Sequence, residues 1–308
     1  MLIGLHHVGR AVADVATVAD DHAAITGWPV THTAAGDSPL CAGRNVGATA
    51  LLHGPNGWLE LVGATTGEPT LRSVNVAGVA HSSIQTGNTT PIDTRLADRE
   101  ITRHDGPIEL GTGFTYLYVR DAEHDIIEIE GAPHAPADLD PWLSHGAIVS
   151  PDIDRLAASY ATVLDAEPTP PIRLAGHSEF DRGTGLAGVD VRVTFVRVPN
   201  GSVEMWQYDA PAPVGEPVRD YEAVGAGHLA FETTSIDDTV ERALANGFAL
   251  ADETIEVDGL RIARMTDLDG NWVEFVEFDD LDDPCSLRTR PDLRRPAKMD
   301  ALLAAARS

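Results

Sequence analysis

The sequence predicts an α+β protein assembled from repeated strand, helix and strands units. Three observations carry that expectation. Alternating, then helical, then alternating hydrophobic patterns recur four times along 308 residues. Each recurrence has a histidine in its first strand: His7, His81, His145 and His228. Turn-rich links separate the recurrences, the clearest being APHAPADLDPW near the middle. The length predicts two domains: 1–132, with units at about 2–66 and 76–132, and 143–278, with units at about 143–209 and 225–278, followed by a tail at 279–308. A unit this small cannot close its own sheet, so units must pair.

The first unit opens with the strand LIGLHHVGRAV, after which Asp14 can cap a helix of Val15, Val18, Ala19 and Ile25 that stops near Gly27. ATALLHG and GWLELVG then form a hairpin around Gly54, Pro55, Asn56 and Gly57. In the second unit VAGVAHSSIQ leads to a short polar helix around Ile92 to Glu100, with Pro91 in its first turn, and to the paired strands FTYLYVRD and DIIEIEG. The third runs from LSHGAIVS to a helix capped by Asp152 with Ile153, Leu156, Ala157, Tyr160, Val163 and Leu164 on one face. A loop from Glu167 to Gly188 precedes VRVTFVRV and SVEMWQY, which turn at Pro199, Asn200 and Gly201. In the last unit GHLAFET is followed by a Ser235 to Asp238 capping box, a packed stripe of Val240, Ala243 and Leu244, and Gly247 as left-handed stop. RIARMTD and NWVEFVE close it, turning at Asp269 and Gly270.

A net charge of −26 argues against nucleic-acid and anionic-membrane partners, because binding phosphate requires a basic field. Cys41 and Cys285 are too few for a disulfide framework or a thiolate metal site, which fits a reduced compartment. With no apolar run of membrane-spanning length and no basic leader after Met1, a cytoplasmic location is expected.

Each unit also carries a glutamate in its last strand: Glu60 with His7, Glu128 with His81, Glu204 with His145 and Glu274 with His228. Glutamate is seldom buried unless it is paired or bound to metal, yet these four lie within WLELV, IIEIE, VEMW and WVEFV. Strand alternation puts His228 opposite Leu229 and Phe231, and Glu274 opposite Val273 and Phe275, so one face can line a cavity. His6, His22, His53, His104, His124 and His177 show no such register and are expected at the surface or behind the ligands. Trp206, Tyr208 and Trp272 flank the metal strands as core or as cavity wall.

LHHVGRAVAD, GHLAFE and DLDGNWVEFVE resemble the first and the metal-bearing strands of the vicinal oxygen chelate superfamily, which includes glyoxalase I, methylmalonyl-CoA epimerase, extradiol dioxygenases and bleomycin-resistance proteins. The resemblance covers nearly all of residues 2–278. It implies four βαβββ modules paired into two cupped mixed or antiparallel sheets with helices outside. It also implies a divalent metal (Zn, Mn, Ni, Co or Fe) held by a histidine and a carboxylate from each module of a pair. Sequential pairing would join His7, Glu60, His81 and Glu128 in one cup and His145, Glu204, His228 and Glu274 in the other. Outer-with-outer pairing would instead join His7, Glu60, His228 and Glu274, leaving His81, Glu128, His145 and Glu204 for the second cup. The better-formed motifs of units one and four favour the outer set if a single site works.

The function implied is a metal-dependent isomerase or epimerase that moves a proton through a chelated enediolate on a small α-hydroxyketone, with Glu274 and Glu60 as the catalytic carboxylates. Among four-module relatives of this length the match is to the epimerase of C7-cyclitol biosynthesis, which acts on 2-epi-5-epi-valiolone. One alternative is an extradiol dioxygenase using Fe(II) on His145, His228 and Glu274; another is a small-molecule or antibiotic sequestering protein. The extradiol pattern has a histidine and then a tyrosine ahead of the last glutamate, and GLRIARMTDLDGNWVE has neither. Expected partners are a small-molecule substrate and a second copy in a homodimer, on which the basic tail RTRPDLRRPAKMDALLAAARS can pack unless it is a solvated end.

Overall fold

The computed structural model describes residues 1–97, 99 and 101–307, with side chains through residue 305. Module 1 comprises β1 (Leu2–Val12), α1 (Val15–Thr26), β2 (Val30–Thr33), β3 (Thr49–His53) and β4 (Trp58–Gly63). Module 2 comprises β5 (Gly78–Thr86), α2 (Thr90–Ala97), β6 (Thr102–Arg103), β7 (Ile108–Glu109), β8 (Thr115–Arg120) and β9 (Ile126–Gly131). Module 3 comprises β10 (Trp142–Val149), α3 (Ile153–Leu164), β11 (Ile172–Ala175), α4 (Ser178–Thr184), β12 (Asp190–Val198) and β13 (Gly201–Ala210). Module 4 comprises β14 (Gly227–Thr233), α5 (Ile236–Ala245), β15 (Ala249–Leu250), β16 (Ile255–Val257), β17 (Leu260–Thr266) and β18 (Trp272–Phe278), and α6 (Arg295–Arg307) lies in the tail.

Local chemistry sets the helix ends. Asp14 accepts from Thr17 N and Gly27 takes φ 73° to close α1, while Asp152 accepts from Arg155 N to open α3. Ser235 caps α5, but the buried face of that helix is Ile236, Thr239 and Ala243; Leu244 faces solvent. The packed stripe thus lies about one position round the helix from the expected one. α2 is short, as its polar sequence requires, and buries Ile92 and Leu96; Glu100, at the end of the expected helix, lies outside the described residues. The expected loop from Glu167 to Gly188 contains β11 and α4, a single turn or two that forms to bury Phe180.

Two mixed sheets of nine strands result. The outer sheet runs β15-β17-β18-β14-β1-β4-β3-β2, with β16 on β17, and so joins modules 1 and 4. The inner sheet runs β11-β12-β13-β10-β5-β9-β8-β6, with β7 on β8, and joins modules 2 and 3. The halves 1–132 and 143–278 therefore do not correspond to the sheets: each sheet takes one module from each half. β1 pairs antiparallel with β14, and β5 with β10.

The sheets lie back to back. One apolar cluster runs through β1, β5, β10, β14 and helices α1, α2, α3 and α5. Gly146 allows the close approach, since a Cβ there would run into Leu229 and Val8 of the opposite sheet. Helices α1, α2, α3 and α5 sit on the backs of the sheets, α1 against α2 and α3 against α5, outside the cups. The other face of each sheet carries its own apolar cluster, with Tyr118, Phe180, Trp206 and Tyr208 on the inner sheet and Leu40, Ile262 and Phe278 on the outer.

Candidate metal centres

Strand register assembles the inner cup. Glu204 of β13 lies beside Ala147 of β10, which lies beside His81 of β5; in the next row Glu128 of β9 lies beside Ser83, and Ser83 beside His145. Two rows on one face thus bring two imidazoles and two carboxylates to a point. His145 Nε2 is 3.0 Å from Glu204 Oε2 and 3.1 Å from Glu128 Oε2; His81 Nε2 is 3.6 Å and 3.8 Å from the same oxygens. All four side chains are buried, and one donor atom from each lies within 4.8 Å of the others. None of these converging atoms has a hydrogen-bond partner among the described residues. Buried nitrogen and oxygen donors that converge without partners fit a divalent ion such as Zn, Mn, Ni, Co or Fe.

The surroundings orient these groups. A bulge between Leu143 and His145 turns Ser144 inward, and its Oγ donates to Glu130 Oε2 at 2.8 Å while lying 3.1 Å from His145 Nδ1. His145 Nδ1–H can then donate to Ser144 Oγ, which leaves Nε2 facing the cluster. Tyr118 Oη donates to Glu128 Oε1 at 2.5 Å and fixes that carboxylate. Glu204 has no such tether: it is 7 % exposed, the most open of the four. Trp206 stands edge-on to His81 and Phe195 to His145, and Phe180 of α4 packs on Trp206. Burial lowers the His145 pKa, but the charge of Glu204 and the close carboxylate oxygens of Glu128 and Glu204 outweigh this and hold it well above the usual value. Burial likewise raises Glu204, but His145 prevails and pulls it to about 2. Glu130 is pushed up to about 7 by burial and by the charge of Glu128.

The outer cup has the same frame. Glu274, Ala230 and His7 form one row, and Glu60, Gly9 and His228 the other. Glu60 Oε2 is 3.4 Å from His7 Nε2 and 3.2 Å from His228 Nε2, so these three converge. Glu274 is held differently. Its Oε1 accepts from Arg264 Nε at 3.0 Å and Tyr221 Oη at 3.1 Å, and it pairs with Arg44, whose side chain is only 4 % exposed. The Arg44 guanidinium also lies 3.4 Å above the Tyr221 ring. Burial pushes the Arg264 guanidinium down to about 10, helped by Arg44.

The outer imidazoles satisfy one another. His6 Nε2 faces the Cys285 carbonyl at 2.7 Å and must donate to it, so His6 Nδ1 accepts from His7 Nδ1 at 2.7 Å. His7 Nε2 lies 2.9 Å from His228 Nε2, and His228 Nδ1 lies 2.8 Å from Tyr221 Oη. Burial, with His7 and Arg44 nearby, lowers His228 to about 3, so it is neutral. Burial raises Glu60, but His7 and bonds from His228 and His7 hold it well below the carboxylate range.

All eight histidines and glutamates expected from the repeat thus occupy two cups in the outer-with-outer arrangement, but the cups are unequal. The outer set, favoured from motif quality, brings three donors within 4.8 Å of one another; two arginines hold Glu274 by its Oε1, and its Oε2 stands 3.9 Å from His7 Nε2 and 3.8 Å from His228 Nε2. The extradiol set His145, His228 and Glu274 is not assembled: His145 belongs to the inner sheet and the other two to the outer. Sequence reading passed over Arg44, Arg264, Tyr221, Tyr118, Ser144 and Glu130. Glu130 alone had a signal, as a second glutamate on the Glu128 face of IIEIE. His6, outside the repeat register, is the buried partner of His7.

Residues 144–263 match the sequence model of the glyoxalase/bleomycin resistance protein/dioxygenase superfamily. No curated protein matches the chain. Among solved structures, glyoxalase I from Zea mays is similar at 16 % identity and TM-score 0.63, over 89 % of this chain and 92 % of that one. A putative dioxygenase from Bacillus subtilis is similar at 14 % identity and TM-score 0.60, over 98 % and 96 %. At these identities the likeness is one of fold.

Proposed function

We propose that this chain, which has the vicinal oxygen chelate fold throughout and belongs through residues 144–263 to the glyoxalase/bleomycin resistance/dioxygenase superfamily, is a metal-dependent isomerase or epimerase working from its inner cup. The observation that carries this reading is the convergence of His81, Glu128, His145 and Glu204, four buried donors with atoms that no other group satisfies. A divalent ion held there supplies Lewis-acid stabilisation of negative charge on a substrate oxygen.

The chain's own residues supply the proton transfer. Glu128 is anchored by Tyr118 and serves as a fixed ligand. Glu204, tethered to no phenol or arginine, is the carboxylate free to take a proton from the carbon beside a carbonyl and return it on the same or a neighbouring carbon. Trp206, Phe195 and Tyr208 wall the cup and keep water from the reacting carbon. This transfers to Glu204 the base role expected for Glu274 and Glu60, because Glu274 is committed to Arg44 and Arg264. The substrate class is a small α-hydroxyketone, with the C7-cyclitol 2-epi-5-epi-valiolone the first compound to try; a charge of −26 suits a small-molecule partner better than a polyanion.

The test is solvent exchange. Metal-loaded protein is incubated with α-hydroxyketones in D2O and followed by NMR. Exchange at the carbon next to the carbonyl is expected in the wild type and its loss in Glu204→Gln, with fold and metal content retained. Exchange at wild-type rate in that variant would exclude Glu204 as the base.

A further inference from the structure

We infer that the outer cup is a self-neutralised polar core and not a second metal centre, with Arg44 and Arg264 providing from the chain the positive charge that an ion would bring. The companion statement, that the inner cup is the one ion site, rests on the proposed function; the outer-cup statement does not.

Charge is the first argument. Within the outer cup Glu60 and Glu274 carry two negative charges, and Arg44 and Arg264 carry two positive ones, all on side chains no more than 4 % exposed. A divalent ion would add two uncompensated charges to a buried site, which burial opposes strongly. In the inner cup no lysine or arginine among the described residues pairs with Glu128 or Glu204, so there an ion completes the balance.

Matching positions make the contrast local. Arg264 of β17 faces Glu274 across the ladder to β18, just as Tyr118 of β8 faces Glu128 across the ladder to β9. A phenol orients its carboxylate and leaves the charge available to a metal. A guanidinium orients the carboxylate and cancels that charge. The second cation, Arg44, comes from the segment that follows the 3-10 turn Pro39–Cys41; Leu40 of that turn packs with Ile262 and Phe278 on the same side of the sheet. Arg264 Nη2 donates to Ala42 O at 2.7 Å and ties this segment to the sheet.

The proton arrangement is the second argument. From the Cys285 carbonyl through His6, His7 and His228 to Tyr221, each ring nitrogen donates to or accepts from the next. Among the described residues both nitrogens of His81 and Nε2 of His145 lack a hydrogen-bond partner at the inner cup, whereas at the outer cup the unpartnered histidine and glutamate atoms are Glu60 Oε2 and Glu274 Oε2 and every imidazole nitrogen has a neighbour.

Metal stoichiometry tests this without reference to activity. Protein stripped with chelator is reloaded with Zn2+ or Co2+, desalted and assayed by mass spectrometry, with the Co2+ absorption spectrum as a second readout. One equivalent per chain is expected in the wild type, retained in His7→Gln and lost in His145→Gln. Arg44→Gln should gain a second equivalent, and Arg44→Lys, which keeps the charge, should not. Circular dichroism reports whether each variant is folded, and Arg264→Gln replaces Arg44→Gln if that one is not. Two equivalents in the wild type, an equivalent lost in His7→Gln but kept in His145→Gln, or folded arginine variants with no gain would each overturn the inference. A wild type that takes no ion, with an Arg44→Gln variant that takes one, would sink the proposed inner site and leave the outer-cup inference standing.

Discussion

If the inner cup holds an ion as proposed, single residues behind its four donors decide how it does so. Ser144 Oγ bridges Glu130 and His145 Nδ1, and through that bridge sets which imidazole nitrogen faces inward. Ser144→Ala is expected to weaken metal binding by about 10–100-fold, the usual effect of losing a group that orients a ligand, with little change in fold. Competition against a fluorescent chelator measures it. His145 also fixes a pH dependence. Its folded-state pKa is raised well above the ordinary value, so an ion must displace a proton to reach Nε2. Apparent affinity should therefore climb with pH by about tenfold per unit for each proton displaced, until His145 titrates. The metal-free protein should show the opposite sign. A raised histidine pKa contributes stability that is complete below about 6.5 and is lost as pH rises through the folded value, so apo melting temperature should fall over that range while the loaded protein gains. The candidate ligands, as residues that come together, were legible in the sequence because glutamates inside apolar strands have few bland explanations. Arg44, Arg264 and Tyr221 were not, since an arginine in a loop or an alternating strand is ordinarily solvated, and nothing local says that it points at Glu274.

Among the elements, the two Asn-Gly hairpins do more than turn the chain. Asn56 and Asn200 were legible as turn residues, but both are fully buried. Asn56 Nδ2 donates to the carbonyls of Leu143 and Asn200 at 2.8 Å, and its Oδ1 accepts from Leu143 N. Asn200 makes the reciprocal set, with Nδ2 to the carbonyls of Leu5 and Asn56 and Oδ1 from Leu5 N. A hairpin of each sheet thus grips a strand of the other, β10 and β1, and Gly4 leaves room for the Asn200 carboxamide. Asn200→Ala strands Leu5 N and two carbonyls in a buried place, at about 1–3 kcal/mol for each group left unsatisfied. Urea unfolding should show that loss, while Asn246→Ala, at a partly exposed helix end, should cost less. The long strands and helices α1, α3 and α5 were legible from periodicity and caps; the short strands β2, β6, β7, β11, β15 and β16 were not. α4 was not, because seven residues hold too few turns for a period and its stability comes from packing Phe180 on Trp206.

At the scale of the whole molecule, pairing is what sequence patterns leave undecided. Each module's motifs are satisfied by either neighbour, and the choice depends on contacts between strands far apart in the chain: β1 meets β14, and β5 meets β10. The proline-rich link near the middle marks a boundary between modules, not between sheets. A cut there therefore has a definite consequence. In a fragment 1–138 the edges of β1 and β5 that face β14 and β10 are bare, and the complementary fragment 139–308 exposes the other two. Neither can close a sheet or cover the shared apolar cluster, and open edges of this kind associate nonspecifically. The fragments expressed separately should give no folded monomer, and together they should give a complex of the intact mass with a cooperative melt. Size exclusion with light scattering and circular dichroism decides it. A soluble, cooperatively melting monomer of 1–138 would mean that modules 1 and 2 can form a cup by themselves, and that the outer-with-outer pairing is not imposed by the sequences of β1 and β5.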